Sequence, residues 1–439
     1  MKSRSPKKLF GTVERRYFIY GKDLIKICFL TSAVFLILIF LSCSGREKGT
    51  VTLSGWITSP IEEKLLTKII KDFQEKHPDI KVVYEPIPGN YMDKIQLMLA
   101  TGTAPDVFYL ESFYAPAMIG FNALEPLDEY IKKDSVDLTD FEPALLKAFQ
   151  FNAKTYGLVK DYTTVGLFYN TEIFKKERIK NPPRNWEEFY AVCIKLTKDT
   201  NKDGKVDQWG FCINPSLEYL LPFVYQNGGS FFSEDGSKLA ILDSSFINAL
   251  KFFVNLYKKG YAVQPSDVGS AWPGDAFGKD GIGMICSGNF AIPFLKSNYP
   301  KTKYAIAELP QHKKKSTLAF IVGYVIPKHC KNKEQAWLLL NYLTGVEGMA
   351  NWTSLGLALP PRKSVVKINE LNKDSLKTAL VDGAAYARPW QLSEHYRIFD
   401  ETQSSLQKIF LTDVPVETEM KELNSRLEKL IYKTNTESK

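Results

Sequence analysis

Past residue 50 the chain alternates short apolar runs with segments of helical period. Residues 51–55 read as a strand, and Pro60 then opens a helix whose apolar residues Ile61, Leu65, Leu66, Ile69, Ile70 and Phe73 fall on one face. That helix stops at His77, because the residue before Pro78 avoids the α region. Residues 80–84 form the next predicted strand, 91–100 a helix ended by Gly102, and 106–110 a third strand. This β-α-β-α-β order predicts a parallel sheet covered by helices.

A second unit of the same kind follows. Strands are predicted at 165–169, 209–213, 283–286 and 304–307. Asn185, with Glu188 three residues on, opens a helix in a capping-box arrangement, and 217–226 and 246–257 are helical. The ten-residue apolar run 317–326 is long enough to pass from one domain to another. Helices then dominate, at about 333–344, 347–354, 371–380, 391–411 and 415–432.

Charge separates the N-terminus from this body. The net charge is +8, but residues 1–42 carry eight basic side chains against Glu14 and Asp23, a net +6, which leaves +2 for the remainder. So near-neutral a body offers no electrostatic footprint for nucleic acid. The basic start leads into the uncharged run 28–41, short for a spanning helix and right for a signal-peptide core. Phe40-Leu41-Ser42-Cys43 resembles a bacterial lipobox, which implies that residues 1–42 are removed and Cys43 is lipid-modified, with 43–50 as a tether to the bilayer. An uncleaved signal anchor is the alternative, and Arg15-Arg16 gives a weaker twin-arginine resemblance. All three readings put the body outside the cytoplasmic membrane.

Composition narrows the chemistry. The 28 Phe, 22 Tyr and 7 Trp argue against disorder, and 6 Cys in 439 residues against a disulfide scaffold. With four His and no HExxH, GxSxG or P-loop pattern, neither a cofactor nor a metal is assigned. One segment leaves alternatives open. Asp199, Asn201, Asp203, Lys205 and Asp207 alternate around Gly204 as in a calcium loop, but Gly210 stands where the closing Glu belongs. A hairpin held by Asp and Asn side chains fits as well. Cys193 and Cys212 flank it, either as a disulfide or as buried free thiols.

A family resemblance emerges from motifs in order. Leu99-Ala-Thr-Gly-Thr-Ala-Pro-Asp-Val107 follows Phe73-Gln-Glu-Lys-His-Pro78 and Tyr91-Met-Asp-Lys-Ile95. After it come Leu124-Glu-Pro-Leu127, Tyr156-Gly-Leu-Val-Lys-Asp161, Leu167-Phe-Tyr-Asn170, Gln226-Asn-Gly-Gly229, Ser287-Gly-Asn-Phe290 and Leu359-Pro-Pro-Arg362. The chain resembles the extracellular solute-binding proteins of ATP-binding-cassette importers, of the carbohydrate type related to maltodextrin binders. The resemblance implies a type II periplasmic-binding-protein fold, two α/β lobes around a cleft that closes by hinge motion. Lobe 1 is expected at 51–161 and 324–350, lobe 2 at 165–318 and 356–439, with crossings near 161–164, 319–323 and 351–356.

Sugars offer flat C–H faces to aromatic rings and hydroxyls to carboxylates and amides. Aromatics beside polar groups just after predicted strands are therefore the expected ligand wall: Trp56 with Ser59, Glu111 with Tyr114, Asp161 with Tyr162, Glu218 with Tyr219, Phe290, and Trp390 in a region where relatives place a cleft aromatic. Trp186, Trp209, Trp272, Trp337 and Trp352 read as structural. The expected function is a monomeric binding protein that delivers a carbohydrate to a membrane permease and is not an enzyme. One rival keeps the transport role for a polyamine or other small solute held by Glu111, Asp161 and Glu218. Another is an exported glycan-active enzyme using two facing carboxylates.

Overall fold

Thirteen strands are described in the computed structural model, and most of them fall into two mixed sheets. The structure describes residues 49–56, 60–233, 238–391 and 397–437; the expected signal, Cys43 and Ser59 lie outside these. The strands are β1 (Thr50–Ser54), β2 (Lys81–Tyr84), β3 (Val107–Glu111), β4 (Gln150–Phe151), β5 (Lys154–Thr155), β6 (Gly157–Thr164), β7 (Gly166–Asn170), β8 (Trp209–Cys212), β9 (Ala262–Val263), β10 (Ile282–Ser287), β11 (Tyr304–Ala307), β12 (Thr317–Val325) and β13 (Ala387–Pro389).

The first sheet runs β13-β12-β3-β1-β2, with β6 also paired to β12. The second runs β11-β7-β10-β8-β9. Each has the parallel core expected from βαβ units, β1 beside β3 and β8 beside β10. The expectation of wholly parallel sheets is corrected by the connecting strands. β12 lies antiparallel to β3 and β6, and β7 lies antiparallel to β10 and β11. A strand that leaves one sheet for the other returns running the opposite way, so each sheet gains antiparallel members.

Local signals in the chain account for several boundaries. The helix Pro60–Lys76 buries Leu66, Ile69, Ile70 and Phe73 on one face, while Ile61 in its first turn is exposed. Gly102 adopts the left-handed conformation (φ 69°) that ends the helix Tyr91–Thr101. The side chain of Asn185 accepts from Glu188 N at 2.8 Å at the start of the helix Trp186–Leu196. Asp106, in the Ala-Pro-Asp motif, is a buried clasp. Its Oδ2 accepts from Thr52 N and Oγ1 at 2.8 and 2.9 Å, which fixes β1 against β3. The expected helix over 371–380 is broken. Asp374 accepts from Leu376 N at 3.0 Å, a local turn that separates a 3₁₀ turn at Leu371–Lys373 from the helix Thr378–Gly383.

Three segments run together where the sheets meet. β6 pairs with β12 from Gly157 to Thr164, and Tyr162 exchanges two backbone hydrogen bonds with Leu359 (3.1 and 3.2 Å). The register of β6 shifts beside Val322 and Gly323. Asp161 faces Val322, Val159 faces Gly323, and Lys160 is the extra residue of a β-bulge.

The 199–207 segment is a hairpin tip. Both oxygens of Asp199 accept from the amides of Lys202, Asp203 and Gly204, and Asp207 accepts from Thr200. Among the described residues no group of three His, Cys, Asp or Glu is arranged to hold a metal. Cys193 and Cys212 are separate buried thiols, so the disulfide alternative is corrected, and burial pushes both thiols up.

Candidate ligand cleft

Between the two sheets, at the carboxyl ends of β1, β3 and β10, lies a cavity of about 560 Å3. The first-sheet side contributes Trp56, Tyr109, Lys160 and Asp161, and the end of the helix Val346–Thr353 adds Trp352. Asn289, Phe290 and Phe294 come from the second-sheet side, at and beyond the turn after β10. Tyr162, Thr163, Phe320 and Val322 of the crossing strands form the floor, closed at one end by Leu357 and Ala358.

The walls are held by packing and by hydrogen bonds. Trp56 stands edge-on to Tyr91 and Tyr109, with ring centroids 5.1 and 5.3 Å away. Tyr109 in turn meets Tyr324 edge-on at 5.3 Å. Burial pushes the Tyr84 phenol up to about 12 and those of Tyr91, Tyr109 and Tyr324 above the ordinary range, so this aromatic base is uncharged. On the opposite side Trp272 backs Phe290 and Phe294, at 6.0 and 4.8 Å. Phe290 itself is 41% exposed, a large apolar ring presented to the cleft. Asn289 ties the two sides together as a donor, its backbone N to Thr163 Oγ1 at 2.9 Å and its side-chain Nδ2 to Leu357 O at 2.8 Å.

Lys160 is the unexpected feature. It is 5% exposed and ion-paired to Asp161, and its ammonium lies 3.9 Å from the Trp352 ring centroid and 4.7 Å from that of Tyr109. Asp161 Oδ2 also accepts from Trp352 Nε1 at 2.8 Å. Neither Lys160 nor Trp352 stood among the expected ligand residues. The signal for Lys160 is its position beside Asp161, and for Trp352 its position within the third crossing.

Of the expected residues, Trp56, Asp161, Tyr162 and Phe290 line this cavity. Glu111, Tyr114, Glu218, Tyr219 and Trp390 do not. Trp390 is buried and stacked on Phe113 at 5.1 Å, packed against Phe399 at 5.7 Å, and sits behind Phe320 at 6.3 Å, so the expected open wall is a packed ring. Tyr114 packs edge-on to the same Phe113 at 5.1 Å. Tyr219 is buried within the second-sheet core. Burial raises the carboxyls of Glu111, at the end of β3, and Glu218, in the first turn of the helix Leu217–Gln226. Glu218 Oε2 and Ser287 Oγ, near the carboxyl ends of the paired strands β8 and β10, are buried without a hydrogen-bond partner. Trp352, expected to be structural, is half-buried on the cavity wall.

Residues 58–350 match the family of bacterial extracellular solute-binding proteins. The chain belongs to that family. It is similar to a putative binding protein of Brucella abortus, 24% identical over 401 residues that cover 89% of this chain and 94% of that protein. It is also 26% identical to the arabinooligosaccharide-binding protein of Bacillus subtilis, over 80% of this chain and 84% of the relative. An ABC substrate-binding protein of Listeria monocytogenes, solved in complex with cycloalternan, superposes with a TM-score of 0.75 at 24% identity, covering 87% of this chain and 98% of that one. The fold is thus the two-lobe type II form expected. Members of the family bind a solute outside the cytoplasm and do no chemistry on it, which removes the exported-enzyme rival. Among the described residues no helix is long and apolar enough to cross a membrane.

Proposed function

We propose that this solute-binding protein takes a neutral sugar or oligosaccharide into the cleft between its lobes and delivers it to an ABC permease. One observation carries the reading: aromatic rings from both sides of the cleft, Trp56 and Trp352 against Phe290 and Phe294, enclose a cavity whose charged lining is limited to Glu62, Lys160 and Asp161. Rings bury the C–H faces of a sugar, while Asp161, Asn289 and Thr163 offer acceptors and donors to its hydroxyls. The similarity to an arabinooligosaccharide binder and to a cycloalternan complex supports a carbohydrate ligand, oligosaccharides included. Glu111, Tyr114 and Glu218, outside the cavity lining, are the residues proposed to meet the further rings of an oligosaccharide chain.

The lobes in this reading are 51–161 with 324–350 and 165–318 with 356–439. Trp56, Asp161, Tyr162 and Phe290 are the core of the site, and Trp352 joins them. Residues 1–42 act as the export signal and Cys43 carries the lipid, so that the body works as a tethered monomer at the membrane surface. The experiment is calorimetric and thermal-shift titration of the body with arabino-, gluco- and manno-oligosaccharides. A ligand at 100 times its dissociation constant stabilises by about 2.7 kcal/mol. A protein that ignores every neutral sugar but is stabilised by another solute overturns the carbohydrate reading.

A further inference from the structure

The buried ammonium of Lys160 occupies what would otherwise be a binding place for a cation. Two aromatic rings, Trp352 at 3.9 Å and Tyr109 at 4.7 Å, surround it, and the Asp161 carboxylate neutralises it. Aromatic faces with a nearby carboxylate are the chemistry that recognises alkylammonium ligands. Lys160 reaches this place only because it is the extra residue of the β6 bulge; in a regular strand it and Asp161 would point to opposite faces.

We propose that Lys160 is a specificity-determining residue, a tethered cation that fills the aromatic cage of the cleft and so excludes amine ligands while leaving the remaining walls to neutral sugars. The inference rests on reading this cavity as the ligand site. Its physical basis is exclusion as much as attraction: a polyamine or quaternary ammonium entering the cleft meets a like charge that is already paired and desolvated. A neutral polyhydroxy ligand meets no such repulsion. The same ammonium holds Asp161 and the Trp352 indole in one orientation, with Trp352 Nε1 bonded to Asp161 Oδ2 at 2.8 Å. Sequence alone keeps a polyamine ligand open, because it counts the carboxylates Glu111, Asp161 and Glu218 without the cation that answers one of them.

The test titrates the protein with propylammonium and tetramethylammonium, followed by tryptophan fluorescence and by melting, beside the oligosaccharide panel. Wild-type protein should respond to neither cation. Lys160→Ala vacates a space of propylammonium's size beside a carboxylate. It should bind propylammonium at least tenfold more tightly than wild type and melt higher in its presence, and Trp352→Phe in the Lys160→Ala background should abolish the fluorescence response. Lys160→Arg keeps a cation in the cage and should stay blind to both probes. A folded Lys160→Ala protein that ignores propylammonium overturns the proposal. So does saturable cation binding by wild-type protein that vanishes in Trp352→Phe, a result that decides the matter even where Lys160→Ala is too unstable to titrate. Failure of wild-type protein to bind any sugar, with the cation results as expected, counts against the carbohydrate reading and leaves the exclusion of amines standing.

Discussion

Lys160 and Asp161 are consecutive residues of β6, and yet their side chains meet in an ion pair. Successive side chains of a regular strand point to opposite faces. The bulge opposite Val322 and Gly323 removes that alternation and turns both toward the cleft. The partner strand is shaped to match. A Cβ on Gly323 would lie 2.6 Å from the Phe149 ring, so the close approach of β12 to the core at this point requires glycine.

Gly323→Ala is therefore expected to destabilise the fold. Phe149 is fully buried and cannot swing clear, and overpacking of this kind costs about 1–3 kcal/mol. The denaturation midpoint should fall, and ligand affinity should fall with it as the bulge relaxes. A midpoint equal to wild type would mean that Phe149 has room to move and that the glycine is not what sets the strand spacing.

Much of the architecture was legible before the structure, because its signals are local. Asn185 and Gly102 mark helix ends by chemistry that acts within one turn. What was not legible depends on contacts distant in the chain. The sequence places Asp161 at a crossing between lobes, and only pairing with β12 shows that Lys160 beside it is the extra residue of a bulge. Asp374 turns back on its own backbone, which periodicity over 371–380 does not reveal. Trp352 and Trp390 are equally apolar, and which one faces the cleft is decided by Asp161 and Phe113, residues some two hundred and more positions away.

Arg362, just past the third crossing, holds that part of the chain against the first lobe. It is buried, donates from Nε to Thr344 O at 2.7 Å and from Nη1 to Asp140 Oδ2 at 3.1 Å, and lies 4.1 Å from the Phe141 ring centroid. Burial pushes the Asp140 carboxyl up, but Ser364 and Arg362 outweigh it and hold it below the ordinary range. A carboxyl depressed in the folded state contributes stability that is present above its unfolded pKa and lost as pH falls through the folded one. Arg362→Met should cost roughly 3 kcal/mol, since it strands a partly buried carboxylate, and the loss should shrink in acid as Asp140 takes a proton. Denaturant melts at neutral and acid pH check both statements; an equal loss at both would assign the effect to packing on Phe141.

Glu111 gives the opposite sign. Burial alone raises its carboxyl, so the folded protein holds that proton more tightly than the unfolded chain. The group is stability-neutral below its unfolded pKa, and stability is lost as pH rises through the unfolded and then the folded value. Glu111→Gln should therefore melt higher than wild type at neutral pH and no higher in acid. If Glu111 also accepts a sugar hydroxyl, the same variant should bind oligosaccharide more weakly at neutral pH. A Gln variant that melts lower at neutral pH would reveal a partner for the carboxylate that burial does not explain.

Trp352 and Trp390 separate recognition from packing. Trp352 presents its ring on the cavity wall, with one edge bonded to Asp161 and the Lys160 ammonium over its face. Stacking is worth about 0.5–1.5 kcal/mol beyond area, and the buried area adds about 25 cal/mol per Å2. Trp352→Ala should then weaken ligand binding by about 2 kcal/mol, roughly thirtyfold. Trp390 is buried among Phe113, Phe320 and Phe399, and its backbone N donates to Ala319 O at 2.7 Å while its O accepts from Ser112 Oγ at 2.9 Å. The backbone bonds survive truncation, but the ring does not, so Trp390→Ala should cost about 3–5 kcal/mol of stability. Trp337, fully buried with Nε1 on Asp134 at 2.6 Å and outside the cavity lining, is the control for a purely structural tryptophan and should lose a similar amount of stability with unchanged affinity. Calorimetric titration beside thermal melting tells the three apart. A Trp352→Ala protein with wild-type affinity, paired with a folded Trp390→Ala protein that no longer binds, would move the ligand from the Lys160 end of the cleft to the Phe113 end.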